Sequence, residues 1–118
     1  MVEMSVYYSM MKNTNNLNTE TMTQYNGWSN YETWRVNLEM LDGMTVEDFG
    51  ISVRNLDLDE VNEQVSHLAE NMEAYVVEMV EQDAKGFALD LALSFLNEVD
   101  WMEIADHMWE DAQLEAVR

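Results

Sequence analysis

The sequence predicts a mainly α protein, a small single-domain helical bundle of about four helices. Two observations predict it: apolar residues recur at spacings of three and four along much of the chain, and helix-capping patterns precede these runs. At 118 residues the chain has the size of one domain. Its hydrophobic content of 47% is sufficient for a core despite a net charge of −19.

The first 24 residues differ from the rest, and we expect residues 1–24 to form an arm or linker before an acidic helical domain of residues 25–118. Residues 12–24 offer few apolar groups to offset the entropy of ordering. Residues 2–10 and 49–53 alternate apolar and polar side chains, the period of a half-buried strand. These two segments therefore leave a short N-terminal β ribbon as an alternative to a simple arm.

The segment NGWSNYETWRVNLEMLDG, residues 26–43, predicts the first helix. Ser29 and Glu32 have the spacing of a capping box, which starts a helix, and Gly43 favours its end. Four apolar side chains between these signals share one face, and a tryptophan lies in the preceding turn. We expect this set to form a structural core motif: Trp28, Tyr31, Trp34, Leu38 and Leu41.

Two more capping patterns follow. Thr45 and Asp48 predict a short helical turn that Gly50 ends. Asp57-x-x-Glu60 opens a longer segment whose apolar residues repeat every three or four positions to about residue 85. Such a helix would be roughly 40 Å long, enough for a kink or break.

The last two helices are predicted from residue 87 onward. FALDLALSFLNEV, residues 87–99, is apolar nearly all round, which is typical of a buried central helix. Asp100 and Glu103 then form an acidic cap for a final helix. Its inward side would consist of Trp101, Ile104, Ala105, Met108 and Ala112.

Three segments, NGWSNYETWRVNLEMLDG, VEDFG and LNEVDWMEIADHMWED, resemble a family of small proteins encoded by bacteriophages and plasmids and described only as hypothetical. The resemblance spans roughly residues 25–112 and leaves the first 24 residues outside its pattern. It implies a mobile-element origin, and no activity comes with it. With no cysteine and no signal-peptide pattern, we expect a soluble protein in the cytoplasm of a bacterial host.

Charge is the main functional clue. Residues 57–118 hold 17 acidic residues against two basic ones, a net of −15, whereas residues 1–56 hold seven against three, a net of −4. The acids therefore concentrate on the later helices, where we predict a partner-binding acidic surface. Its residues are Glu60, Glu63, Glu70, Glu73, Glu81, Glu98, Asp100, Glu103, Asp106, Glu110, Asp111 and Glu115.

Rows of carboxylates on rigid helices can imitate nucleic-acid phosphates, which basic grooves bind through lysine and arginine. We hypothesise a stoichiometric anti-defence inhibitor, an anti-CRISPR or anti-restriction DNA mimic. Its partner would be a basic, nucleic-acid-binding protein or complex of the host. Direct nucleic-acid binding is not expected, because so anionic a surface repels phosphate.

Two alternatives belong to other classes. The first is a non-mimic adaptor or regulator that docks through the aromatic side chains of Trp28, Tyr31 and Trp34, residue types enriched among interface anchors. The second is a metal-binding helical protein built on two carboxylate–histidine pairs, His67 with Glu70 and His107 with Glu103. The methionines of the apolar faces also leave a homodimer open, among them Met72, Met79, Met102 and Met108.

Catalysis and membrane insertion are not expected. The sequence has no glycine-rich phosphate loop, no cysteine and no nucleophile-elbow serine, and it has no apolar run long enough to span a bilayer. We therefore expect no enzyme activity, no catalytic residue and no cofactor.

The excess of acid predicts that stability increases with ionic strength, because counterions screen the mutual repulsion of the carboxylates. The measurement is the melting temperature in rising sodium chloride. Chloride is preferable to sulfate, which strengthens apolar burial whatever the protein's charge. An unchanged melting temperature between low and high salt would contradict the prediction.

Overall fold

The predicted mainly α fold is confirmed in the computed structural model, which describes residues 25–53 and 56–116. Helix α1 spans Tyr31–Val36 and continues as the π-helical turn Asn37–Leu41; a 3-10 turn spans Val46–Phe49. Three longer helices follow: α2 at Leu58–Asp83, α3 at Gly86–Leu96 and α4 at Trp101–Ala116. The described residues include no strand. Of the suggested ribbon, residues 2–10 lie outside the described part of the chain.

Helices α2 and α4 form the centre of the bundle. They share the most extensive contact between any two described elements, and the 3-10 turn packs on both. Their inward residues recur at helical spacings, as the sequence pattern predicts. The buried side chains of α2 are Val65, Leu68, Ala69, Met72 and Val76, and those of α4 are Ile104, Ala105, Met108 and Trp109.

Local capping sets the limits of α2 and of the 3-10 turn. The Asp57 carboxylate accepts from the Glu60 N–H at 2.9 Å, and the Glu60 carboxylate accepts from the Asp57 N–H at 3.2 Å. At the 3-10 turn the Asp48 carboxylate accepts from the Thr45 N–H at 2.9 Å. Gly50 closes this turn with a φ of 80°, which an L side chain rarely adopts. Helical segments therefore start at both predicted positions, and α2 runs for 26 residues without a break.

The π-helical turn changes which residues of the first helix face the core. Val36 and Leu41 are both buried and lie five positions apart, the hydrogen-bond spacing of a π-helix. Leu38 consequently points outward and is 48% exposed. The prediction that Leu38 belongs to the core motif is therefore wrong, whereas Tyr31 and Leu41 are buried as predicted. Trp34 is half-buried.

Helix α3 forms where the sequence predicts it, but the prediction that it is the buried central helix is wrong. Only Leu96 is buried along its length, and Phe87 is 75% exposed. The reason lies in the packing: α2 and α4 fill the centre with each other's side chains. They leave α3 at the periphery, where only one side of it is covered.

We predict that Leu68→Ala lowers the free energy of unfolding by about 2–5 kcal/mol, because Leu68 is fully buried and its loss leaves a cavity. The matched control is Leu114→Ala in α4, where the side chain is 57% exposed and the change should stay within about 0.5 kcal/mol. Urea unfolding followed by circular dichroism compares the two. Equal losses would contradict the assignment of the core.

Candidate partner-binding surface

The segment before α1 is hydrogen-bonded to the first turn of α4. The Ser29 N–H donates to both oxygens of the Glu103 carboxylate at 3.2 and 3.1 Å, and the Ser29 hydroxyl donates to Glu103 Oε1 at 2.7 Å. The predicted capping box between Ser29 and Glu32 is therefore wrong. The cap of α1 is Asn30, whose Oδ1 accepts from the Thr33 N–H at 2.8 Å.

Two more hydrogen bonds extend this connection. The Asn30 side-chain amide donates to the Glu98 carbonyl at 2.7 Å, and the Asp100 N–H donates to Thr33 Oγ1 at 2.8 Å. Thr33 is fully buried. We call the six bonded residues the α4 joint: Ser29, Asn30, Thr33, Glu98, Asp100 and Glu103.

At the predicted acidic cap of α4, one hydrogen bond joins residues within the cap and others come from residues distant in the sequence. Asp100 Oδ1 accepts from the Glu103 N–H at 3.1 Å, which is the expected cap. The Glu103 carboxylate binds Ser29, and the Asp100 N–H is taken by Thr33. Residues from two distant parts of the sequence therefore complete the N-terminus of this helix.

Contacts between aromatic rings accompany the joint. The Trp28 and His107 rings contact each other at an angle of 43°, with centroids 4.4 Å apart. The Tyr31 ring centroid lies 5.7 Å from that of Trp34 and 6.1 Å from that of Phe95. The aromatic motif thus packs the helices together, and Tyr31 is only 3% exposed.

The predicted acidic residues lie on the outside of α2, α4 and the turn before α4. Eleven of the twelve are exposed, and Glu103 is half-buried. We call the exposed set the acidic surface. It consists of Glu60, Glu63, Glu70, Glu73 and Glu81 from α2, Glu98 and Asp100 from the turn before α4, and Asp106, Glu110, Asp111 and Glu115 from α4.

Some of these carboxylates have local partners. Glu60 caps α2, and a Glu63 oxygen lies 3.8 Å from His67 Nε2. Glu103 is a structural residue of the joint. Its carboxylate accepts hydrogen bonds from Ser29, and its place among the partner-binding residues stays a prediction.

The charge density of α4 approaches that of one nucleic-acid strand. Six acids occur between Asp100 and Glu115, a span of about 22 Å at 1.5 Å per residue. This gives roughly one negative charge per 4 Å of axis, against about 3.4 Å per phosphate along one DNA strand. Within the described ranges the only lysine or arginine residues are Arg35 and Lys85, and neither lies on α4.

The surroundings of Asp106 change the pKa of its carboxyl group. Partial burial raises the pKa of Asp106 above its ordinary value, and the negative charges of Glu110 and Asp100 raise it further, whereas His107 acts in the opposite direction. Ionised Asp106 is thus less favourable in the folded chain than in the unfolded one. At neutral pH the ionised Asp106 carboxylate therefore lowers the stability of the fold.

An apolar crevice of about 350 Å³ borders α4 beside the 3-10 turn. Met44, Val46 and Met108 form apolar parts of its lining, and Glu47 and Asp111 add carboxylates. The sequence predicted the turn but not its packing against α4, so Glu47 and this crevice were not anticipated. The one signal that could have indicated the crevice and Glu47 is the start of a 3-10 turn, which packs beside the acidic helix α4.

The histidine–carboxylate pairs of the metal hypothesis do not come together. His67 Nε2 lies 3.8 Å from a Glu63 oxygen. The His107 ring contacts Trp28, and the Glu103 carboxylate accepts from Ser29. Within residues 25–53 and 56–116, no group of three or more histidine or acidic residues could hold a metal ion. No helix in the same ranges is both long and apolar enough to cross a membrane.

Comparison with protein families identifies the family of this chain. A family model described as a family of unknown function (DUF7249) matches residues 21–116, which include the α4 joint and all four described helices. The chain belongs to this family. No curated protein and no solved structure matches it. Membership of DUF7249 agrees with the expected resemblance to a family without an established activity.

We predict that Asp106→Asn raises the melting temperature at neutral pH and has no such effect in acid. A raised folded pKa means that folding favours the protonated carboxyl, so stability is lost as pH rises through that pKa and is fully retained below the unfolded value of about 3.9. Melting curves from acid to neutral pH measure this. The control is Asp90→Asn on α3, and an equal gain in both variants would contradict a local effect of α4.

Proposed function

We propose that the protein is a stoichiometric anti-defence inhibitor whose acidic surface imitates nucleic-acid phosphates. It would occupy the basic groove of a nucleic-acid-binding defence complex, either a CRISPR effector or a restriction system. The observation that carries the proposal is the segment from Asp100 to Glu115, where six acids, five of them exposed, follow one another at nearly the spacing of phosphates without an intervening lysine or arginine.

The α4 joint supports this role because it holds the acids in place before binding. Its hydrogen bonds and the Trp28–His107 ring contact fix the first two turns of α4 against residues 28–33. A preorganised array loses less conformational entropy on binding than mobile carboxylates would. Its long-range field also accelerates encounter with a basic partner.

The crevice beside α4 supports a basic partner in a second way. Lysine and arginine have apolar stems and charged ends, and such side chains place the stem on apolar surface with the charge towards carboxylates. The crevice offers Met44 and Met108 for the stem, and Glu47 and Asp111 for the charge. We propose that one basic side chain of the target enters it.

The proposal assigns the protein a mobile-element origin, in a phage or plasmid, and a place of action in the cytoplasm of its bacterial host. It assigns a binding role with no catalytic step, no cofactor and no direct contact with nucleic acid. The alternative of docking through the aromatic side chains has less support, because Tyr31 is buried and the Trp28 ring already contacts His107.

The test compares two variants that remove the same amount of charge. The acidic-surface variant combines Asp106→Asn, Glu110→Gln and Asp111→Asn. The control variant combines Asp42→Asn, Asp83→Asn and Asp90→Asn, all exposed acids outside the acidic surface. Glu103 stays unchanged in both because it holds the joint.

Tagged wild-type and variant proteins are used for pull-downs from bacterial lysate at low and high salt, followed by mass spectrometry. We expect wild type and control to recover a basic nucleic-acid-binding complex that high salt or added duplex DNA releases. The acidic-surface variant should lose it, because the carboxylates that attract the basic groove are gone. Equal recovery by both variants, or recovery that high salt does not reduce, would overturn the proposal.

A further inference from the structure

Helix α3 presents an apolar surface beside a groove. Phe87 and Leu91 are 75% and 56% exposed, although α3 is the most apolar helix in the sequence. The groove encloses about 490 Å³ between α3, α1 with its π turn, and the end of α2. Its apolar lining includes Val36, Met40, Val80, Ala88 and Ala92. Contiguous apolar exposure of this kind marks an interaction site.

This surface is also nearly neutral within a chain of charge −19. Residues 84–97 contain one lysine, Lys85, and one acid, Asp90. On the opposite wall Arg35 and Glu39 pair with each other at 3.3 Å. None of the twelve predicted partner-binding acids lines the groove.

We propose that a second copy of this chain covers the groove and forms a symmetric dimer. Two strongly anionic molecules can associate only where their surfaces carry little net charge, and the α3 surface meets that condition. A basic foreign partner would instead be drawn to the acids of α2 and α4. Charge therefore favours a copy of the same chain as the occupant.

The shape of the groove fits a two-fold contact, in which one patch must supply both a projection and a recess. Leu91 projects from α3, while Ala88 and Ala92 beside it leave room for a side chain from a facing helix. In the dimer, Leu91 of each copy inserts beside Ala88 and Ala92 of the other. The two α3 helices then cross next to the axis.

The dimer leaves the acidic surfaces of both copies available, because their residues do not line the groove. A target would meet two arrays instead of one. This doubling rests on the proposed function, whereas the dimer itself does not.

The experiment is sedimentation equilibrium of the full chain over a range of protein concentrations at low and high salt. We expect a dimer whose fraction increases with salt, since screening weakens the repulsion between like-charged copies. Leu91→Asp should be monomeric, because a charge in the apolar contact is desolvated without a partner. The matched control is Leu114→Asp on α4, which replaces a leucine of 57% exposure and should remain dimeric.

A second measurement uses the absence of cysteine from the chain. Ala88→Cys should form a disulfide-linked dimer under mild oxidation much faster than Ser66→Cys, an exposed position on α2. Equal rates would overturn the proposed interface. So would a wild-type monomer under all conditions, or a dimer that survives Leu91→Asp. A monomer that Leu91→Asp destabilises would assign the groove to another segment of the same chain and would also overturn the proposal.

The two proposals fail separately. Dimer formation should strengthen with salt, and target binding should weaken. Loss of the dimer in Leu91→Asp with normal target capture would leave the mimic intact, and loss of capture in the acidic-surface variant with a normal dimer would leave the interface intact.

Discussion

The hydrogen-bonded joint between residues 29–33 and the start of α4 is the interaction on which the rest of the structure depends. It uses the polar side chains of the aromatic motif: Ser29 binds the Glu103 carboxylate, and the buried Thr33 hydroxyl oxygen accepts from the Asp100 N–H. A buried hydroxyl without a partner is unfavourable, so Thr33 specifies how α1 meets the start of α4. The tryptophan and tyrosine of the motif then pack around these bonds. The motif's first role is to fix the last helix.

That fixed helix explains how a chain with so much negative charge can keep a defined surface. Burial of Asp106, together with the negative charges of Glu110 and Asp100, raises the pKa of this carboxyl, so its ionisation opposes folding. The packing of α2 against α4 and the joint at the helix start stabilise the fold against this cost. The apolar α3 surface lies apart from these acids, so one molecule separates a charged face from a neutral one. Under the two proposals, the charged face would meet a basic target and the apolar face a second copy.

The sequence predicted what local patterns determine and missed what distant contacts determine. The helices and the caps at Asp57 and Thr45 follow from residues within four positions of one another. Ser29 failed as a cap because Glu103, 74 positions away, takes its N–H and hydroxyl. Leu38 was misplaced because a π turn has no signature in the apolar spacing. The exposure of α3 could not be predicted, since an apolar pattern does not identify what covers it. Exposure of the acids was predictable from their charge, and the structural use of Glu103 was not.

The central claim is that the acidic surface occupies the site at which a target binds nucleic acid. The most direct test is a titration of a purified target, already bound to a fluorescently labelled duplex, with this protein while fluorescence anisotropy is recorded. The account predicts that the duplex is released with a fixed stoichiometry and that raising the duplex concentration reverses the release. A complex in which the target holds the duplex and this protein at the same time would contradict the account.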